Sequence, residues 1–198
     1  MKFILNREGR VVRKLIVFNH VTLDGYFVSP SGDFRWAGRG NDDPDYAAFV
    51  AENASGGGEL LFGRVTYELM ASYWPTAIAD QHNPAVAKGM NSMAKVVFSR
   101  TLQEATWSNT RLLKGDLVSE IRKLKEEDGP GMAIMGSGSI VAQLALENVI
   151  DEYQMMVDPL ALGKGRSMFD GIQEQLSLKL TRTRTFKNGK VFLCYEPA

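Results

Sequence analysis

Cysteine and histidine are nearly missing from this chain, which holds one cysteine, Cys194, and two histidines, His20 and His82, in 198 residues. A lone cysteine excludes an internal disulfide and a cysteine-rich metal centre, and it fits a reducing compartment. Two histidines far apart in sequence argue against a histidine-based metal centre, so no metal is expected. An excess of either charge is missing too. Lysine plus arginine and aspartate plus glutamate stand at 23 each, so there is no overall pull toward nucleic acid or an anionic membrane, and any affinity for phosphate must be local. No apolar run approaches the roughly 18–20 residues of a membrane span. The first ten residues carry Phe3-Ile4-Leu5 but no signal-peptide core or cleavage pattern. Residues 1–10 therefore read as a loose leader, residues 11–198 as one domain, and the protein as cytoplasmic.

What is present is a series of apolar strands that run into small or polar residues. The clearest spans Met132 to Leu146, where an apolar run meets Gly136-Ser137-Gly138-Ser139 and turns helical. Glycines let the backbone approach a ligand, and a helix start presents unpaired N–H groups and a positive dipole end, so the natural guest is an anion. The same turn is also common without any ligand. Leu15 to Phe18 reads as a strand buried on both faces, followed by Asp24-Gly25 and a long segment rich in turn formers. Asp42-Asp43-Pro44 predicts a capped helix start before Tyr46, and Glu59 to Gly63 a short buried strand leading into a helix at Arg64. The periodicity predicts a short helix from Pro84 to Met90, a strand from Lys95 ending in Ser99-Arg100-Thr101, a small strand at Leu112-Leu113, and an amphipathic helix over 116–127. Leu176 to Phe186 alternates, Asn188-Gly189 supplies a hairpin turn, and Val191 to Tyr195 returns. Repeated strand and helix followed by a hairpin predict an α/β fold, with a mostly parallel mixed sheet, helices on both faces and a closing antiparallel pair.

In open α/β sheets ligands bind at the carboxyl ends of the strands. Four such ends carry binding chemistry here: Asp24-Gly25, Gly63-Arg64-Val65-Thr66, Ser99-Arg100-Thr101 and Gly136 to Ser139. Together they offer backbone N–H donors, hydroxyls and two arginines suited to bidentate contact with phosphate. Neither a dinucleotide glycine triplet in the first βα turn nor a Walker loop is present.

Gly63-Arg64-Val65-Thr66-Tyr67-Glu68, Val97-Phe98-Ser99-Arg100 and Ile134-Met135-Gly136-Ser137-Gly138-Ser139-Ile140 resemble, in order and separation, the three cofactor-binding segments of dihydrofolate reductases. Thr22-Leu23-Asp24-Gly25, the stretch from Ile150 to Leu160, and Gly163-Lys164-Gly165 resemble the C-terminal reductase domain of the bifunctional riboflavin-biosynthesis deaminase-reductases. The resemblance covers about residues 11–196. It implies a dihydrofolate-reductase-like three-layer α/β/α fold, NADPH as cofactor, a homodimer, and a small heterocyclic substrate. The implied activity is reduction of 5-amino-6-(5-phosphoribosylamino)uracil; dihydrofolate or pteridine reduction, and nucleotide binding without catalysis, are the alternatives. The matching positions assign Gly63, Arg64 and Thr66 to the phosphates, Ser99 and Arg100 to the adenosine end, and Gly136, Ser137, Gly138, Ser139 and Ile140 to the pyrophosphate and nicotinamide half. A cation at Arg100 facing a 2′-phosphate would favour NADPH over NADH. Asp24, in the family's Leu-Asp-Gly motif, and Asp45, about where dihydrofolate reductases hold their substrate, are the implied proton-handling residues; Tyr26 and Trp36 could stack on a planar ring.

Each residue has a plainer reading beside this one. The arginines could be solvated surface groups, and Thr66 and Ser99 backbone-bonded hydroxyls. Asp24 could be a turn residue, and Asp45 a carboxylate favoured in the first turn of a helix. Two departures are visible. The zinc-dependent deaminase domain of the riboflavin enzymes is absent from this sequence, and Gly136 stands where they have an acidic residue.

Overall fold

The computed structural model describes residues 4–5, 11–40 and 42–198. Short strands β1 (Ile4–Leu5) and β2 (Val11–Val12) pair antiparallel ahead of β3 (Leu15–Thr22) and β4 (Tyr26–Val28). Then come α1 (Pro44–Ser55), β5 (Glu59–Gly63), α2 (Arg64–Tyr73), α3 (Ala77–His82), α4 (Pro84–Ser92) and β6 (Ala94–Phe98). The second half runs β7 (Thr110–Leu113), α5 (Leu117–Glu126), β8 (Met132–Met135), α6 (Gly138–Leu146), β9 (Glu152–Asp158), β10 (Arg166–Ser167), β11 (Leu178–Thr185) and β12 (Val191–Pro197).

Eight strands form one sheet in the order β11-β12-β9-β3-β8-β5-β6-β7. The six from β9 to β7 are mutually parallel, and β12 lies antiparallel between β9 and β11. Alternation along the buried strands divides the core. Leu15, Val17, Leu61 and Ile134 face one way and pack with Ile121 and Leu124 of α5 and with Val141 and Leu144 of α6. Leu60, Phe62 and Val97 face the other way and meet Tyr67, Val86 and Met90 from α2 and α4. Helices thus cover both faces, as a parallel sheet requires, and the expected three-layer α/β/α architecture is the one observed.

The local signals place most elements. Asp43 caps α1, its carboxylate accepting the N–H groups of Asp45 and Tyr46, and Pro44 takes the first helical position. Asp116 caps α5 through Ser119 N–H. The segment from Asp24 to Asp42 differs from the unstructured loop that its turn formers predict. It contains β4, which pairs with β10 far along the chain, and a 3-10 turn over Arg35–Gly38. That pairing is tertiary and has no local signature. A further helix, α3, forms where Thr76 caps the segment before Asn83. The alternation in Leu178–Thr185 does not mark a buried face, because β11 is a sheet edge exposed along almost its whole length. Of the leader, residues 1–3 and 6–10 lie outside the described residues. Among the described residues no helix is long and apolar enough to cross a membrane.

Strand order determines where the site forms. β3 and β5 are not neighbours; β8 fills the gap between them, so the turn after β8 is flanked by the carboxyl ends of both.

Candidate active site

Around that turn the backbone takes up two successive left-handed residues, Gly136 at φ 63° and Ser137 at φ 56°. A Cβ at Gly136 would lie 2.8 Å from Thr66 Cγ2, so this position needs glycine for space as well as conformation. Three neighbours hold the turn. Gly136 N–H donates to Asn19 Oδ1 at 2.6 Å, Ser137 N–H donates to Thr66 Oγ1 at 3.2 Å, and Gly63 N–H donates to Ser137 Oγ at 2.7 Å. The ends of β3, β5 and β8 are thereby tied together. A Cβ at Gly63 would come within 3.3 Å of Ser137 Oγ, and one at Gly138 within 3.1 Å of Phe27 Cζ.

Two helices start at this junction, α2 at Arg64 and α6 at Gly138, and neither has a side-chain cap. By contrast Asp43, Thr76 and Asp116 cap α1, α3 and α5. The starts of α2 and α6 thus lack a side-chain acceptor, and both helix dipoles favour an anion there, although the Ile140 N–H already donates to the Ser137 carbonyl. Of the residues expected at the cofactor, Gly63 and Thr66 are hydrogen-bonded to Ser137, Gly136 is bonded to Asn19, and Gly138, Ser139 and Ile140 open α6 directly beside them. Ile140 is buried and faces Gly63, whereas Ser139 is exposed.

The adenosine-end residues lie further out. Arg64 is exposed and pairs with Glu68 at 3.0 Å along α2. It lines a shallow groove with Glu68, Thr101, Leu102, Gln103 and Glu104. Ser99 Oγ accepts the N–H groups of Thr101 and Leu102, which shapes the loop after β6. Arg100 is exposed, close enough to Asp116 for its charge to help lower that carboxyl.

The two carboxylates expected to handle protons lie just after β3 and in the first turn of α1. Asp24 accepts the Thr22 hydroxyl and the N–H groups of Leu162 and Gly163, so it clamps the loop after β9 to the end of β3. Those donors, the Thr22 hydroxyl foremost, hold its carboxyl below the usual carboxylate range. Asp45 is exposed in the first turn of α1 and does not line the cavity described next. Tyr26 and Trp36 are not on that lining either; Trp36 is buried at 7 % exposure.

Beside the glycine turn lies a cavity of about 350 Å³ between the sheet and α1, α2 and α4. Its walls include Phe18, Phe27, Phe34, Leu69, Met70 and Trp74, and Asn19, Thr66 and Gly136 belong to the cavity and the turn alike. His20 lines it as well. His20 Nδ1 is 2.7 Å from Asp158 Oδ2, and the other oxygen of Asp158 accepts from Lys190 Nζ. Asp158 and Lys190 are almost fully buried, at 1 % and 2 % exposure. Burial, with the Asp158 charge adding to it, pushes the neighbouring Tyr46 hydroxyl well above its usual range, so that side chain is a neutral phenol. Asn19, His20, Asp158 and Lys190 were not singled out from the sequence. A signal existed for the first two: polar residues directly following the apolar run Leu15–Phe18 must sit at a strand's carboxyl end.

Parallel strand ends that join two uncapped helix starts over an apolar cavity define an α/β protein of the dihydrofolate-reductase-like class. The chain belongs to the RibD C-terminal domain family, whose model matches residues 13–192. It is 28 % identical to the uncharacterized protein YyaP of Bacillus subtilis over 186 residues, 93 % of this chain and 95 % of the relative. A Shewanella sp. PV-4 crystal structure named for riboflavin biosynthesis aligns at TM-score 0.69 and 24 % identity, covering 93 % of this chain and 99 % of that one. Dihydrofolate reductase from Enterococcus faecalis, complexed with NADP(H), aligns at TM-score 0.62 and 14 % identity over 94 % and 98 % of the two chains. At such identities the structural likeness is one of fold.

Proposed function

We propose that the protein is an NADPH-dependent reductase of a small heterocyclic substrate. The observation that carries this reading is the sharing of Asn19, Thr66 and Gly136 between the glycine turn and the cavity. A dinucleotide along the two helix starts would bring its nicotinamide to the cavity's edge, and the bound cofactor supplies the hydride. The chain's own residues do the rest. Asn19 and Thr66 fix the turn, the apolar walls exclude water, and His20, oriented through Asp158, supplies the proton at the substrate. Family membership supports the reductase reading, as does the likeness in fold to a reductase solved with NADP(H). Reduction of 5-amino-6-(5-phosphoribosylamino)uracil rests on the family resemblance alone, and dihydrofolate reduction on the fold likeness and the glycine motif.

Calorimetric titration with NADPH and NADH tests the cofactor. Micromolar NADPH binding, weakened at least about tenfold in Asn19→Ala, is expected, and no binding at millimolar NADPH would remove the reading. Arg100→Ala should lower the preference for NADPH over NADH, since it removes a cation from the adenosine end. NADPH oxidation with each of the two named substrates then decides between them.

A further inference from the structure

In the reductase reading above, on which this inference rests, His20 and Asp158 have tasks and Lys190 has none. Lys190 ends the turn between β11 and β12 and is 2 % exposed. Its ammonium donates to Asp158 Oδ1 and, at 3.3 Å, to the carbonyl of Ala37 on the cavity wall, and it lies 5.1 Å from the centroid of the Tyr46 ring. The turn itself is anchored. Asn188 N–H donates to the Asp43 carboxylate and its side-chain amide to the Gly40 carbonyl, both at 3.0 Å. A buried ion pair adds little stability over well-packed apolar residues of the same volume. What the lysine does change is the charge beside His20.

The groups packed around that ring are few. β9 supplies Asp158, the turn before β12 supplies Lys190, and α1 supplies Tyr46, a neutral phenol. Asp24, the next carboxylate beyond His20 on the chain, is taken up by the Thr22 hydroxyl and the Leu162 and Gly163 N–H groups. Among the described residues no arginine, lysine, aspartate or glutamate lines the cavity. Asp158 gives one oxygen to each neighbour, Oδ2 to His20 Nδ1 at 2.7 Å and Oδ1 to Lys190. A carboxylate can only accept, so the neutral ring keeps its proton on Nδ1. Nε2 is the open position, with no hydrogen-bond partner among the described residues, and Phe18 fixes the ring from its edge at 5.8 Å.

A buried carboxylate with no other cation would hold His20 as an imidazolium and make its proton hard to release. We propose that Lys190 is a positioning residue for proton transfer: by compensating Asp158 it lets the carboxylate orient His20 without trapping the proton on Nε2. In the transfer the Nε2–H bond breaks, its electron pair stays on the nitrogen, and the proton joins the substrate. The ring returns to the neutral form protonated on Nδ1, and solvent reloads Nε2 through the part of the side chain that is open, 19 % of it.

With only two histidines in the chain, proton–nitrogen correlation NMR of the isotopically labelled full-length protein shows which ring nitrogens carry protons, and a pH series shows how tightly. Neutral His20 is expected to be protonated on Nδ1. In Lys190→Met, which keeps the bulk and removes the charge, Nε2 should bind its proton about tenfold more tightly, as when a like charge a few ångströms away is removed. His82, at the end of α3, should titrate as before. In Asp158→Asn the Nδ1 preference should be lost and the proton bound about tenfold more weakly. A lysine that only filled space would leave the His20 titration where it is. Unaltered or opposite shifts in either folded variant would overturn the proposal, and so would a neutral wild-type ring protonated on Nε2, a readout that needs no variant. NADPH added to a parallel wild-type sample reports on the Gly136 and Ser137 amides. Failure there removes the reductase reading and the task of His20 with it, whereas a failed titration with NADPH binding intact removes Lys190 alone.

Discussion

Ser137 Oγ accepts the N–H of Gly63 at 2.7 Å, and the two residues lie 74 positions apart in the chain. The bond fastens the turn after β8 to the end of β5, and Ser137 holds a left-handed backbone conformation to make it. Ser137→Ala leaves the Gly63 N–H without its acceptor in a partly buried site. A loss of about 1–2 kcal/mol is expected, read as a lower midpoint in urea unfolding. An unchanged midpoint would show that water replaces the hydroxyl at no cost.

Gly136→Ala should be worse than another left-handed glycine change. Gly32 has φ 82° and open space around an added Cβ, whereas Gly136 has φ 63° and Thr66 Cγ2 at 2.8 Å. Gly32→Ala is expected to cost about 1–2 kcal/mol of backbone strain alone. Gly136→Ala adds displacement of Thr66, so it should lower stability further and weaken NADPH at least about tenfold. Equal effects of the two changes on NADPH affinity would remove the Thr66 contact from the explanation.

Asp24 is expected to behave as a clamp. Its carboxyl titrates below the usual range in the folded chain because of the Thr22 hydroxyl and the Gly163 and Leu162 N–H groups. Its contribution is therefore fully present above the unfolded-state value and is lost as pH falls through the lower folded value. Asp24→Asn should speed hydrogen exchange at the Leu162 and Gly163 amides near neutral pH, with the two proteins converging in acid. NADPH affinity should stay unchanged. Unaltered exchange in the variant would rule out the clamp.

Lys95 gives the same sign of pH dependence in a more alkaline window, through burial rather than hydrogen bonds. Its side chain is fully buried, donates to the Met93 and Asn91 carbonyls, and lies 4.5 Å over the Trp107 ring. Burial lowers its value to about 8. Between about pH 8 and the unfolded lysine value of about 10.4, the unfolded state binds more protons, so stability rises with pH across that window. Lys95→Met removes this gain. The difference in thermal midpoint between wild type and variant should therefore change in favour of wild type from pH 8 to 10. Parallel pH profiles would contradict it.

Much of the site was legible because local chemistry forced it. A run such as Met132–Met135 followed by Gly136-Ser137-Gly138 can scarcely be anything but a strand, a tight turn and a helix start. Asp43-Pro44 likewise determines the start of α1. The two carboxylates were less legible, because Asp-Gly after a strand and Asp in a first helical turn look alike whether they face a ligand or their own backbone. Asp24 faces Leu162 and Gly163, and Asp45 faces solvent. Nothing near either residue in sequence carries that information.

The sequence by itself determined the strand and helix periods, the strand, turn and helix around Gly136, and the neutrality that makes phosphate binding a local matter. Those properties depend on residues a few positions apart. Only the tertiary structure decided that β8 inserts between β3 and β5, which brings Asn19, Thr66 and Ser137 to one point. It also decided that His20 of β3, Asp158 of β9 and Lys190, just before β12, form one bonded group. Strand order depends on how whole faces of the sheet are buried against helices, so contacts more than a hundred residues apart are settled by packing and leave no mark in the local pattern.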